Sequence, residues 1–155
     1  MPEKSGGILM FRRKAAQPEF LLVHPGGPFW ARKDRGAWSI PKGVYKDGED
    51  PLSAAKREFH EETGAYAAGD CIPLGSFQQR SGKIVSAWAI EGDFDVKQFK
   101  SNMFAMEWPP KSRRLKEFPE ADRIGWFAPE EAMQKILKGQ IPILKKIFTL
   151  IADKN

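Results

Sequence analysis

The chain has 155 residues, 41% of them hydrophobic and 29% charged, with a formal net charge of +5 and a pI near 9.4. Its length is near that of one ordinary domain and its composition is globular, which excludes a disordered or fibrous protein. No apolar stretch approaches the roughly 20 residues needed to cross a bilayer.

The opening MPEKSGGILMF has too short an apolar run for a secretory signal, and the lone Cys71 excludes an internal disulfide. The expectation is one domain over residues 1–155, cytoplasmic and without a membrane partner. Cys71 reads as a packing residue rather than a nucleophile, because neither His24 nor His60 is near it in sequence.

Residues 6–13 and 19–24 are short β-like runs around a loop at 14–18, and they predict a hairpin. Residues 25–36 are rich in Gly and Pro and carry Phe29, Trp30, Arg32, Lys33 and Arg35, so they read as a long loop able to form a ligand lip. After the helix described below, residues 72–79 and 83–94 alternate as two strands about the turn Arg80-Ser81-Gly82. Residues 102–108 suggest another strand, stopped by Pro109-Pro110, and residues 123–128 a last short one. An amphipathic helix over 130–138 follows Pro129, presents Ala132, Met133, Ile136 and Leu137, and ends at Gly139; residues 143–151 repeat the helical period. Strands interspersed with helices indicate an α/β sandwich.

The helix after Asp50 carries the chemistry. Asp50 suits the N-cap, Pro51 the first helical position, and Gly64 the left-handed position past the end. Leu52, Ala55 and Phe59 form an apolar stripe, while Glu58, Glu61 and Glu62 group three carboxylates on one face. Like charges at these spacings cost roughly 0.2–0.5 kcal/mol per pair unless a cation offsets them, and a hard divalent metal is the natural candidate. Arg57 borders the acidic arc and is placed to pair with Glu49 in the preceding loop.

Gly43, five residues, Glu49, seven residues, Arg57-Glu58-Phe59, one residue, Glu61-Glu62, one residue, Gly64 and the small apolar Ala65 together resemble the Nudix box. The resemblance covers about a seventh of the chain. It implies an α/β/α sandwich with a mixed sheet between helices, and hydrolysis of a nucleoside diphosphate linked to another moiety. It further implies Mg²⁺ or Mn²⁺ held by Glu58, Glu61 and Glu62 with the Gly43 carbonyl, Arg57 and Glu49 as a bracing pair, and Glu61 or a downstream glutamate as proton acceptor.

The lead-in Trp38-Ser39-Ile40-Pro41-Lys42-Gly43 looks like the WxxPKG of Nudix proteins that hydrolyse dinucleoside polyphosphates. Lys42 then becomes a phosphate contact, Arg32 and Lys33 further phosphate contacts, and Trp30 an exposed aromatic for substrate, whereas Trp38 is expected to pack under the loop. A tyrosine that some such enzymes carry some seventeen residues beyond the box is replaced by Gln79, Arg80 and Ser81. Downstream, the segments 107–110 and 118–122 place carboxylates at strand ends; Glu107 is the first choice to complete the metal site, and residues 118–126 are expected to lead structurally into the last strand. His60 points away from the acidic arc and is left out of the mechanism.

Basic clusters at Arg12-Arg13-Lys14, Arg32-Lys33, Lys42, 80–83 and 111–116 are expected to flank the acidic helix and balance a phosphorylated nucleotide substrate. The remaining alternatives are hydrolysis of nucleoside triphosphates or of RNA 5′ ends, with RNA a less favoured partner, and a non-catalytic nucleotide sensor. The sequence leaves the oligomeric state open.

Overall fold

The computed structural model describes residues 3–14 and 17–152, so part of the expected 14–18 loop lies outside the described residues. Strands β1 (Lys4–Arg13), β2 (Pro18–Pro25), β3 (Lys42–Val44), β4 (Ile72–Gln78), β5 (Ile84–Glu91) and β8 (Ala121–Phe127) make one six-stranded sheet. Its order is β4-β5-β1-β2-β8, with β3 alongside β1. The β1–β5 pair is parallel and the others antiparallel, so the sheet is mixed, and β1 and β2 form the expected antiparallel pair. β6 (Met103–Glu107) and β7 (Leu115–Pro119) form a separate two-stranded ribbon.

The middle of β1, from Gly6 to Phe11, carries no polar side chain because both faces of the sheet are covered there. Ile8 and Met10, with Leu21 and Ile90, pack under helix α1 (Pro51–Thr63) through Ala55 and Phe59. Leu9, Phe11, Phe20 and Leu22 pack on the opposite face against Ala132 of α2 (Pro129–Lys135) and Ile143, Leu144 and Ile147 of α3 (Ile141–Ala152). Burying a side chain such as Phe59 contributes about 1.5–3 kcal/mol. The three layers give the expected α/β/α sandwich, and among the described residues no helix is long and apolar enough to cross a membrane.

Helix α1 is delimited as its sequence predicts. The Asp50 carboxylate accepts from the Ser53 backbone N–H at 3.0 Å, and Gly64 adopts φ 83° while its N–H donates to the His60 carbonyl at 2.8 Å. α2 departs from expectation by ending at Lys135 rather than running to 138. Ile136 instead bridges Trp38 in extended conformation, and the Leu137 N–H donates to the Trp38 carbonyl at 2.8 Å. This tertiary bridge overrides the helical period before Gly139 is reached. Of residues 118–126, expected to lead into the last strand, Phe118 and Pro119 instead end β7, and β8 itself begins at Ala121.

Candidate active site

β3 occupies the N-terminal half of one β1 edge, pairing Ser5, Gly6 and Gly7 with Val44, Gly43 and Lys42, while β2 takes the other half. This crossing delivers the loop after Lys42 to the start of α1. A Cβ on Gly6 would lie 2.8 Å from the Pro51 carbonyl oxygen, so glycine there lets the first turn of α1 sit directly on the sheet. At Gly43 a Cβ would collide with the Glu58 carboxyl group, so the bare backbone provides the space that Glu58 occupies.

Glu58, Glu61 and Glu120 each offer a carboxylate oxygen, and these three oxygens lie within 4.8 Å of one another. The arrangement is assembled by backbone: the Asn102 N–H donates to the Glu61 carbonyl at 2.8 Å, and the Glu120 N–H donates to the Asn102 carbonyl at 2.8 Å. The β6–β7 ribbon thereby folds the chain back so that its end meets the end of α1. Burial and then repulsion by Glu58 and Glu61 raise the Glu120 carboxyl above its ordinary range. Burial raises Glu58 as well, with Arg57 opposing the shift. Glu120 Oε2 is buried with no hydrogen-bond partner among the described residues. Three converging carboxylates, one with an orphaned buried oxygen, fit a hard divalent cation, which takes oxygen ligands and offsets the repulsion.

Glu62 stands beside this group. Burial pushes its carboxyl up to about 8, against the Lys42 ammonium and a hydrogen bond from the Lys42 backbone. Arg57 pairs with Glu49 as expected and reaches Glu58 Oε1 through NH2 at 3.2 Å and Glu61 Oε1 through Nε at 4.0 Å. One guanidinium thus holds the preceding loop against the acidic face.

Glu107 is the main correction. It lies at the far end of β6, outside the convergent group, where its carboxylate accepts the Lys111 backbone N–H at 2.8 Å. Glu120, two residues before Asp122 in the other candidate segment, is the downstream carboxylate that converges with Glu58 and Glu61. The basic clusters also divide. Arg12 pairs with Glu19 and Asp93, both at 2.8 Å, and lies over the Trp126 ring, Arg13 pairs with Glu91, and Lys83 pairs with Glu3. The loop over 25–36 is exposed from 31 to 35 and keeps Arg32 and Lys33 at the surface, with the Lys33 ammonium 5.1 Å from the centre of the half-buried Trp30 ring.

Trp38 packs as expected: it is 6% exposed, and its indole N–H donates to Asp34 at 2.8 Å. His60 stacks on Tyr66. Burial raises the Cys71 thiol, which suits packing rather than nucleophilic attack. A cavity of about 720 Å³ opens between the β4–β5 turn and the approach to α3, with Gln79, Arg80, Ser81, Leu137, Lys138 and Pro142 in its walls.

The NUDIX domain family matches residues 1–147, nearly the whole chain. The chain belongs to the NUDIX family. Nudix hydrolase 25 of Arabidopsis thaliana is 61% identical over 33 residues, covering 21% of this chain and 19% of that protein. Nudix hydrolase 7 of the same plant is 29% identical over 100 residues, covering 59% of this chain and 34% of its own length. The chain therefore spans about a fifth and a third of these two relatives. Among solved structures, the C. elegans Ap4A hydrolase binary complex superposes with a TM-score of 0.66 at 20% identity, covering 96% of this chain and 98% of that one. At that identity the similarity establishes the NUDIX fold, with its mixed sheet between helices.

Proposed function

We propose that the protein is a metal-dependent pyrophosphohydrolase that cleaves a phosphoanhydride bond in a dinucleoside polyphosphate or a related nucleotide. The observation that carries this reading is the convergence of carboxylate oxygens of Glu58, Glu61 and Glu120, the last of which has an oxygen, Oε2, buried without a partner among the described residues. These three residues would hold Mg²⁺ or Mn²⁺. When bound, such an ion supplies positive charge to the phosphate oxygens and lowers the pKa of water.

The chain's own residues supply the rest. Arg57 fixes Glu58 and the Glu49 loop. Glu62, anchored by the Lys42 backbone, keeps the Lys42 ammonium beside the acidic group, where it meets a substrate phosphate. A Glu61 carboxylate oxygen takes the proton of the attacking water as the bridging P–O bond breaks. Arg32, Lys33 and Trp30 engage the distant part of the substrate from the loop above, and the Arg80 and Lys138 cavity is wide enough for a nucleoside. The lead-in through Lys42 and the fold shared with an Ap4A hydrolase support the dinucleotide class.

The test is side-by-side kinetics on dinucleoside polyphosphates, nucleoside triphosphates and RNA 5′ ends at equal metal saturation. Higher kcat/KM for substrates with four or more bridging phosphates is expected, and Lys42→Ala should narrow that preference by about tenfold as one charge-assisted phosphate contact is lost. A clear preference for triphosphates or RNA ends would overturn the substrate class.

A further inference from the structure

His24 has no exposed surface, lies at the irregularity where β2 leaves β8, and plays no part in the chemistry described above. Its two ring nitrogens face different parts of the fold. Nε2 lies 2.6 Å from the Lys33 carbonyl oxygen, which only accepts, so Nε2–H donates to it. Nδ1 lies 2.7 Å from Asp122 Oδ1, and Asp122 also meets Arg123 at 3.7 Å. The ring packs edge-on to Trp38 at 5.3 Å.

The same loop is tied at three further points. The Gly26 N–H donates to the Glu120 carbonyl at 3.0 Å, and a Cβ on Gly26 would collide with the Pro119 backbone. Asp34 accepts from the Trp38 indole, and the Gly36 N–H donates to the Gln134 carbonyl at 3.0 Å. Between Gly26 and Asp34, His24 is the side chain that reaches the loop's backbone from below at Lys33. On its other side it holds Asp122, two residues from Glu120 on the same returning chain.

We propose that His24 is a positioning residue that fixes the Trp30-, Arg32- and Lys33-bearing loop to the strand junction carrying Glu120, so that the loop's substrate contacts stay aligned with the carboxylate group. The substrate half of this statement rests on the proposed hydrolase reading; the anchoring half does not. The Lys33 carbonyl is the contact that matters, because it orients the backbone from which the Lys33 and Arg32 side chains leave.

Two near-isosteric variants separate the two nitrogens. In His24→Gln the amide nitrogen replaces Nε2 and can still donate to the Lys33 carbonyl. In His24→Asn it replaces Nδ1 and reaches only Asp122. His24→Asn leaves a void about one methylene larger, so a role in packing alone would lower its melting temperature further without a change confined to the amides of the loop. Hydrogen exchange of the amides over 26–36 is the first readout and needs no substrate: wild-type protection is expected in His24→Gln, and exchange about tenfold faster in His24→Asn, as one buried hydrogen bond is lost. Kinetics on the best substrate of the panel are the second: KM should rise about tenfold in His24→Asn with kcat nearly unchanged, and stay near wild type in His24→Gln. Equal loop exchange in the two variants would overturn the proposal, as would a loss confined to melting temperature or a fall in kcat at constant KM. If wild-type protein hydrolyses nothing in the panel, the function reading fails while the exchange experiment still decides the anchor.

Discussion

Glu120 Oε2 is buried without a partner, and its carboxyl is raised first by burial and then by two neighbouring carboxylates. Neutralising it removes repulsion from the ion-free protein and a ligand from the loaded one. Glu120→Gln should therefore fold at least as well as wild type yet lose about 10²-fold in kcat, as expected when an ion that activates water is held less well. Glu107→Gln is the control: its carboxylate caps the Lys111 amide at the other end of β6, so turnover should stay within about twofold. Comparable losses in both variants would show that the convergent group is misassigned. The sequence carried Glu58, Glu61, Arg57 and Glu49 because helical spacing and a short loop connect them locally. It pointed to Glu107 rather than Glu120, since that choice depends on where a hairpin returns the chain. His24 was equally illegible, because its partners lie 98 and 9 residues away.

Helix α1 is the element whose limits and role follow most directly from its residues. Asp50 accepts from both the Ser53 backbone N–H and its hydroxyl, and those bonds hold the Asp50 carboxyl below its usual range. Asp50→Ala should cost about 1 kcal/mol of unfolding free energy, measured by urea denaturation, with little change in the fold. An unchanged midpoint would mean that Pro51 and the packing of Ala55 and Phe59 delimit the helix without the cap. The longer strands of the main sheet were likewise legible, since apolar runs and turn residues mark them. Two elements were not. β3 is three residues long and has too little pattern to register, and β7 is mostly exposed, with Leu115, Lys116 and Glu117 facing solvent. The apolar period of α2 continues into Ile136, but there a bridge to Trp38 ends the helix at Lys135.

Across the molecule, the sheet holds α1 on one face and α2 with α3 on the other, so the acidic face of α1 is crowded at one end of a rigid frame. That crowding makes stability depend on pH and on metal. In the ion-free protein the Glu62 carboxyl is pushed up to about 8 from an ordinary value of 4.5, chiefly by burial. A carboxyl raised on folding favours the folded state below its unfolded pKa and loses that contribution as pH rises through the folded one. The melting temperature in chelator should therefore fall between about pH 4.5 and 8 and level off above. Because a cation offsets ionised carboxylates, added Mg²⁺ should raise the melting temperature more at about pH 8 than at about pH 6. An equal Mg²⁺ effect at both would dissociate the metal from this acidic group.

The most direct measurement is hydrolysis of a dinucleoside tetraphosphate in ¹⁸O-labelled water, with saturating Mg²⁺ and with excess chelator. The carboxylate site predicts one labelled oxygen in a phosphate of a product with Mg²⁺ present, and turnover lowered by at least about 10²-fold in chelator. Unchanged turnover in chelator, or label found outside a phosphate group, would contradict it.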